Sequence, residues 1–169
     1  MKKIFFFVIV LLFAGQLQAQ TPQKVGHFNL NNFLASLPEV GEIDSTLQVY
    51  QSTFLDTMKQ MQDKLQADYV ALQKGADNLT GKEVQQKQEA LIKADEELKK
   101  YPNFADQMIN KRRQELLQPI FEKLDKIVKE IGKEGKYAII LDASLMNALL
   151  FAQEADDITP MVREKYDKM

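Results

Sequence analysis

The chain has 169 residues, 22 Lys and Arg against 24 Asp and Glu, one histidine and no cysteine. A slight acidic excess argues against nucleic acid as a partner, because phosphate backbones are held by Lys and Arg. One histidine and no cysteine leave no Cys–His or His–His zinc site and no basis for a nucleophile–histidine triad. No catalytic residue, metal ligand or cofactor is therefore expected.

Met1-Lys2-Lys3 is a short basic start, Ile4–Gly15 is an apolar run, and Leu17-Gln18-Ala19 reads as a cleavage site. This is the pattern of a secretory signal peptide. The run is shorter than the roughly 20 apolar residues of a membrane-spanning helix. The expectation is a cleaved leader over 1–19 and a single domain over 20–169, not integral to the membrane once cleaved. Without Lys2 and Lys3, 20 basic residues face 24 acidic ones, a net charge of −4. No disulfide is available to staple the fold.

Lys24–Asn29 alternates as a strand does, with Val25 and His27 on one side and Gly26 and Phe28 on the other. Leu30–Leu37 reads as a short helix with Leu30, Phe33, Leu34 and Leu37 on one face. Ser36 and Glu39 have capping-box spacing around Pro38, which predicts the start of a longer helix. In that helix apolar residues fall at Ile43, Leu47, Tyr50, Phe54, Met58, Met61, Leu65, Tyr69 and Leu72. Their steps of four, three and four make an eleven-residue repeat, whose stripe drifts only slightly right-handed.

Gly75 is expected to end this helix in a left-handed cap. Ala76–Leu79 turns, and Thr80 with Glu83 forms a second capping box. The return helix carries Val84, Leu91, Leu98, Met108, Leu116, Ile120, Leu124, Ile127 and Ile131. Folding near Asn78 opposes Leu65 to Leu91 and Met58 to Leu98. About 50 helical residues give an arm of about 75 Å if most of it is helical. Pro102 and Pro119 lie inside the return helix, where each removes a backbone bond. Pro102 is read as a kink or as a joint partway along the arm.

Gly132 and Gly135 are expected to end the helix. Tyr137–Asp142 is the strongest strand pattern, and Leu149–Ala152 a third strand after a turn through 143–147. Asp156–Pro160 opens a last helix, with Thr159 as N-cap and Pro160 in first place. Val162 and Tyr166 are placed on the sheet. The expected body covers 24–37 and 136–169, and the arm 38–135 with its tip near 75–81. Three short strands leave edges and an apolar face uncovered, which calls for self-association.

Gly75–Lys82 superficially resembles a phosphate-binding loop. Its glycines are wrongly spaced, and Glu83 stands where Ser or Thr belongs. It reads as the hairpin tip. His27 reads as a structural strand residue. Asp95-Glu96-Glu97 and Lys111-Arg112-Arg113 are charge runs of a solvated face, the basic one also a candidate contact for an anionic partner. Between Tyr50 and Asn110 there are eight basic and ten acidic residues, so the arm is nearly balanced in charge.

This layout resembles the Skp (OmpH-like) family of periplasmic chaperones. The likeness runs over Lys24–Met169, in the order strand, short helix, long hairpin, two strands, helix. It is carried locally by Val25-Gly26-His27-Phe28-Asn29, Leu34–Glu39, Leu116–Leu124, Gly135–Asp142 and Asp157-Ile158-Thr159. The resemblance implies a homotrimer with an intersubunit β-barrel body and three helical tentacles. It also implies an ATP-independent periplasmic holdase that encloses unfolded outer-membrane proteins. The best-known members are strongly basic, and this chain is acidic.

The expected fold is thus α+β and mostly helical. A long antiparallel two-helix hairpin projects from a small three-stranded β element, which completes a β-barrel by trimerisation. The expected partners are unfolded outer-membrane proteins and two further copies of the chain, with room for transient contact with a membrane surface. Tyr69, Leu79 and Val84 near the tip are the candidate client contacts. The alternative is a coiled-coil adaptor or spacer of the cell envelope that binds one folded partner.

Overall fold

A computed structural model of the chain describes residues 23–145 and 149–169. The expected leader, 1–19, lies outside the described residues, as do positions 146–148 of the expected turn and strand connection. The described chain divides into two compact units, 29–127 and a second made of 23–28 with 128–169.

The first unit opens with α1 (Leu30–Ala35), capped by Asn29, whose Oδ1 accepts from the Asn32 N–H at 2.9 Å. Ser36 closes this helix, its hydroxyl donating to the Phe33 carbonyl at 2.6 Å. The expected Ser36–Glu39 capping box therefore does not open the next helix, because Ser36 is used in ending the previous one. Leu37 takes the N-cap position of α2 (Pro38–Gly75) without a side-chain cap bond, and Pro38 stands in its first turn. Proline fits there, since its missing N–H has no partner in a first turn anyway.

Along α2 the stripe is the less exposed face. Leu47 is buried, and Ile43, Tyr50, Phe54, Met58, Met61, Leu65 and Leu72 are half-buried. Asp44 bridges to Arg113 of α3 (Gly81–Glu134) at 3.0 Å. The Phe54 ring lies 6.2 Å from Tyr101 and 6.3 Å from Phe104. Leu65 and Leu91 line one hollow, and Leu72 and Val84 another. Partner numbers fall along α3 as they rise along α2, so the two helices run antiparallel within this unit.

The turn between them is a single 3₁₀ turn, Ala76–Asn78, closed by the Leu79 N–H on the Ala76 carbonyl at 3.2 Å. Gly75 has φ −100°, so the expected left-handed cap is absent. The 3₁₀ turn continues the right-handed winding and needs no such residue. The second capping box does form: the Thr80 N–H donates to Glu83 Oε2 at 2.8 Å, and the Glu83 N–H donates to Thr80 Oγ1 at 3.3 Å. The helix α3 then runs unbroken through Pro102 and Pro119. Each proline forfeits a backbone bond, and apolar packing stands close to both. Tyr101 and Phe104 lie 6.0 Å apart beside Pro102, with Ala105 buried. Ile120 and Leu124 are buried just after Pro119.

The second unit holds a two-stranded parallel sheet of β1 (Lys24–Phe28) and β2 (Tyr137–Asp142). Val25 pairs with Ile139 and Phe28 with Asp142. Parallel pairing requires a crossover of a dozen residues or more, and here the whole first unit lies in it. The other edge of β1 is taken up at 157–158, where the Ile158 N–H donates to the His27 carbonyl at 2.9 Å. The expected third strand at Leu149–Ala152 is not formed, and among the described residues the sheet has two strands rather than three. Apolar composition suits a strand there, but it is 157–158 that takes the place beside β1.

One face of this sheet is covered. Phe28, Ile131, Ile158 and, from α4 (Thr159–Lys168), Val162 and Tyr166 are buried. The other face leaves Val25, Ile139 and Leu141 exposed. The helix α4 is opened by Asp157, whose Oδ1 accepts from the Thr159 N–H at 2.8 Å. Thr159 is thus the first helical residue and not the cap, and Pro160 follows it. The end of α3 is also set differently from expectation. Gly132 is inside the helix, and Lys136 carries the left-handed conformation, φ 52°. Gly135 is needed for space instead, since a Cβ there would stand 2.4 Å from Tyr137 Cε2.

Candidate functional site

Of the three residues expected near the tip, two come together. Tyr69 of α2 and Val84 of α3 line one open hollow of about 510 Å³ with Leu72, Leu91 and Ile92. Tyr69 is 51% exposed, although it falls on the apolar stripe. Its ring lies along the hollow, and its hydroxyl accepts from Gln73 Nε2 at 3.2 Å. A tyrosine in this setting offers an apolar body and a polar tip to whatever settles there. Leu79 is half-buried in the turn and lines none of these hollows.

Ile92 was not among the expected residues. It is 61% exposed and lines a second hollow of about 400 Å³ with Leu65, Tyr69 and Leu91. The signal was present in the sequence. Ile92 is an apolar residue next to Leu91, one step off the stripe, where a helix of this kind carries polar residues. Phe104 and Leu55, each about half exposed, are further apolar positions on the paired helices. Beside them the Tyr50 and Phe54 rings meet edge to face at 4.9 Å.

A third hollow, about 350 Å³, has an alanine-rich wall of Ala71, Ala90 and Ala94. Its rim mixes Lys64 and Lys87 with Asp68 and Glu97. Small side chains at a helix–helix seam leave volume unfilled, so the pairing is loose here by the standard of a packed core. The charges around it are of both signs. On the outer face Lys93, Lys99 and Lys100 pair with Glu97, Asp95 and Glu96 one turn away. Asp95 holds the Lys99 ammonium above its usual range, first through a hydrogen bond and then through its charge.

The basic run at 111–113 is largely engaged within the chain. Arg113 bridges to Asp44, and Arg112 to Glu115 at 3.2 Å. At the tip, the Glu83 carboxyl is held below its usual range, first by the Thr80 hydroxyl and next by the Thr80 N–H. Among the described residues no three His, Cys, Asp or Glu side chains gather as a metal site would require. No helix among them is long and apolar enough to cross a membrane. His27 lies in β1, its Nε2 3.3 Å from the Gln153 carbonyl. What the paired helices offer is shallow apolar relief framed by balanced charge, a surface for adhesion.

A family model described as outer membrane protein (OmpH-like) matches residues 24–166. A crystal structure from Caulobacter crescentus CB15, described as an OmpH-like outer membrane chaperone, superposes with a TM-score of 0.65. It is 16% identical, and the match covers 87% of this chain and 86% of that one. At that identity the likeness speaks for the fold. No curated protein matches the chain.

Proposed function

We propose, from the premise that the chain belongs to the OmpH-like family, that it is a periplasmic, ATP-independent holdase for unfolded outer-membrane proteins. The family is non-enzymatic, and its role in general is that of a chaperone. The finer reading rests chiefly on one observation: the exposed Tyr69 and Ile92 flank shallow hollows on a long helix pair whose charges largely cancel. Many weak, non-directional contacts suit an unfolded chain, whose apolar segments differ in sequence and share only their need for cover. A client held in this way is released by competition with its own folding and needs no nucleotide. The 75–82 segment, used up in a 3₁₀ turn and a capping box, supports that view.

The working unit is proposed to be a homotrimer, with the leader over 1–19 directing export and being removed. The open sheet face of Val25, Ile139 and Leu141 supports association, as do Leu150 and Phe151, 89% and 82% exposed. Apolar surface of this kind, gathered in one unit, is what subunit interfaces cover. The test is to dilute a urea-unfolded outer-membrane β-barrel protein into buffer and follow turbidity. Stoichiometric trimer without ATP is expected to suppress it. Unchanged turbidity sinks the holdase and leaves the spacer as the better reading.

A further inference from the structure

The seam between α2 and α3 has two unlike sides toward the turn. Leu65 and Leu91 lie on the seam and line hollows on both. On one side Lys64, Asp68, Lys87 and Glu97 surround the alanine-rich hollow. On the other lie the two hollows that share Tyr69, Leu91 and Ile92. Asp95 is the one charged residue lining them, and it is already paired with Lys99. Their polar rim is otherwise amide: Gln66 and Gln73 on α2, Gln88 on α3. Gln73 is taken up by the Tyr69 hydroxyl. Gln66 and Gln88, on opposite helices, bond to no other described residue.

The linings of these two hollows are centred about six residues apart on α2 and about four on α3, or about 6–9 Å at the helical rise. In an extended chain, side chains on one side recur every second residue, at about 6.8 Å. We infer that the uncharged side of the seam binds a client segment in extended conformation, with apolar side chains at alternate positions entering the two hollows. Its neutral lining suits a neutral segment, since an unpaired charge would lose its water there. An extended segment also brings free backbone N–H and C=O groups, and each must find a partner. The Gln66 and Gln88 amides carry both a donor and an acceptor for them. A helical segment has its backbone bonded internally and leaves these amides nothing to bond. The inference rests on the holdase reading and narrows its substrate. The pattern selected is apolar and polar in alternation, which is how strands of outer-membrane barrels are written.

The test uses the purified protein and two fluorescein-labelled peptides of about ten residues, the length of a membrane strand. Both contain the same leucines, serines and threonines. One has its leucines at alternate positions, the other at helical spacing. Fluorescence anisotropy is expected to show the alternating peptide bound about tenfold more tightly, the worth of one further buried leucine. Gln66→Ala with Gln88→Ala is expected to weaken that peptide about fivefold through lost backbone bonds, and to leave the helically spaced one unchanged. Alanine suits an exposed helix position, so this variant keeps its fold. The same exchange away from both hollows, Gln60→Ala with Gln107→Ala, is expected to change neither. Equal affinity for the two peptides, no binding of either, or an equal loss in the control pair overturns the inference. If turbidity is still suppressed in that case, the holdase stands without it. A preference for the alternating peptide with turbidity unsuppressed keeps the strand site and removes the holdase.

Discussion

Tyr137 sits where added methyl groups meet its ring from two sides. A Cβ on Gly26 would stand 2.9 Å from Tyr137 Cε1, and one on Gly135 2.4 Å from Cε2. The Gly135→Ala variant is therefore expected to lose about 1–3 kcal/mol, the usual cost of overpacking. Urea unfolding measures it, and an unchanged midpoint would contradict the cradle. At the tip, Thr80→Ala removes half of a formed capping box and is expected to cost about 1 kcal/mol. The Glu83 carboxyl in that box titrates below its ordinary value. Its contribution is therefore full above the unfolded-state value and is lost as pH falls through the lowered one. Thermal melts of the wild type and Glu83→Ala should differ at neutral pH and converge in acid. A gap of equal size at both pH values would contradict the assignment. Tyr69 and Val84 were legible as surface candidates because they flank the predicted turn. Ile92 was not, because attention to the stripe hides what lies beside it.

At the scale of elements, long periodic segments were the easiest to read. The helix α2, the turn after it and β2 stand at or within a residue of where periodicity and turn chemistry put them. Leu65 and Leu91, expected to oppose each other across the fold-back near Asn78, line one hollow. Short-range chemistry misled where two elements compete for one residue. Ser36 had the spacing to open α2, and it closes α1 instead. Leu149–Ala152 has a strand's composition, but β1 already meets 157–158 on that side. The prolines test α3 itself. With Tyr101, Phe104 and Phe54 packed around it, Pro102 sits in a helix that its ring opposes. Pro102→Ala is expected to raise stability, by up to about 3 kcal/mol, and a fall would show that the proline holds a needed bend. Leu65→Asp places a charge in the seam opposite Leu91 and should lower helicity by circular dichroism. Unchanged helicity and melting would show that this register contributes nothing.

For the whole molecule, each unit leaves apolar surface of a different kind. The sheet face and the 150–151 segment suit a fixed partner of matching shape, which a symmetric assembly provides. The relief around Tyr69 and Ile92 suits partners without fixed shape. These two surfaces together lead to the proposal that association builds the cage and the helix pairs line it. The measurement that tests this most directly is sedimentation of the purified protein mixed with an unfolded outer-membrane β-barrel protein, without nucleotide. The account predicts a soluble species of three chains with one client, and loss of the client, though not of the trimer, in Tyr69→Glu with Ile92→Glu. A monomer that leaves the client to aggregate would contradict it.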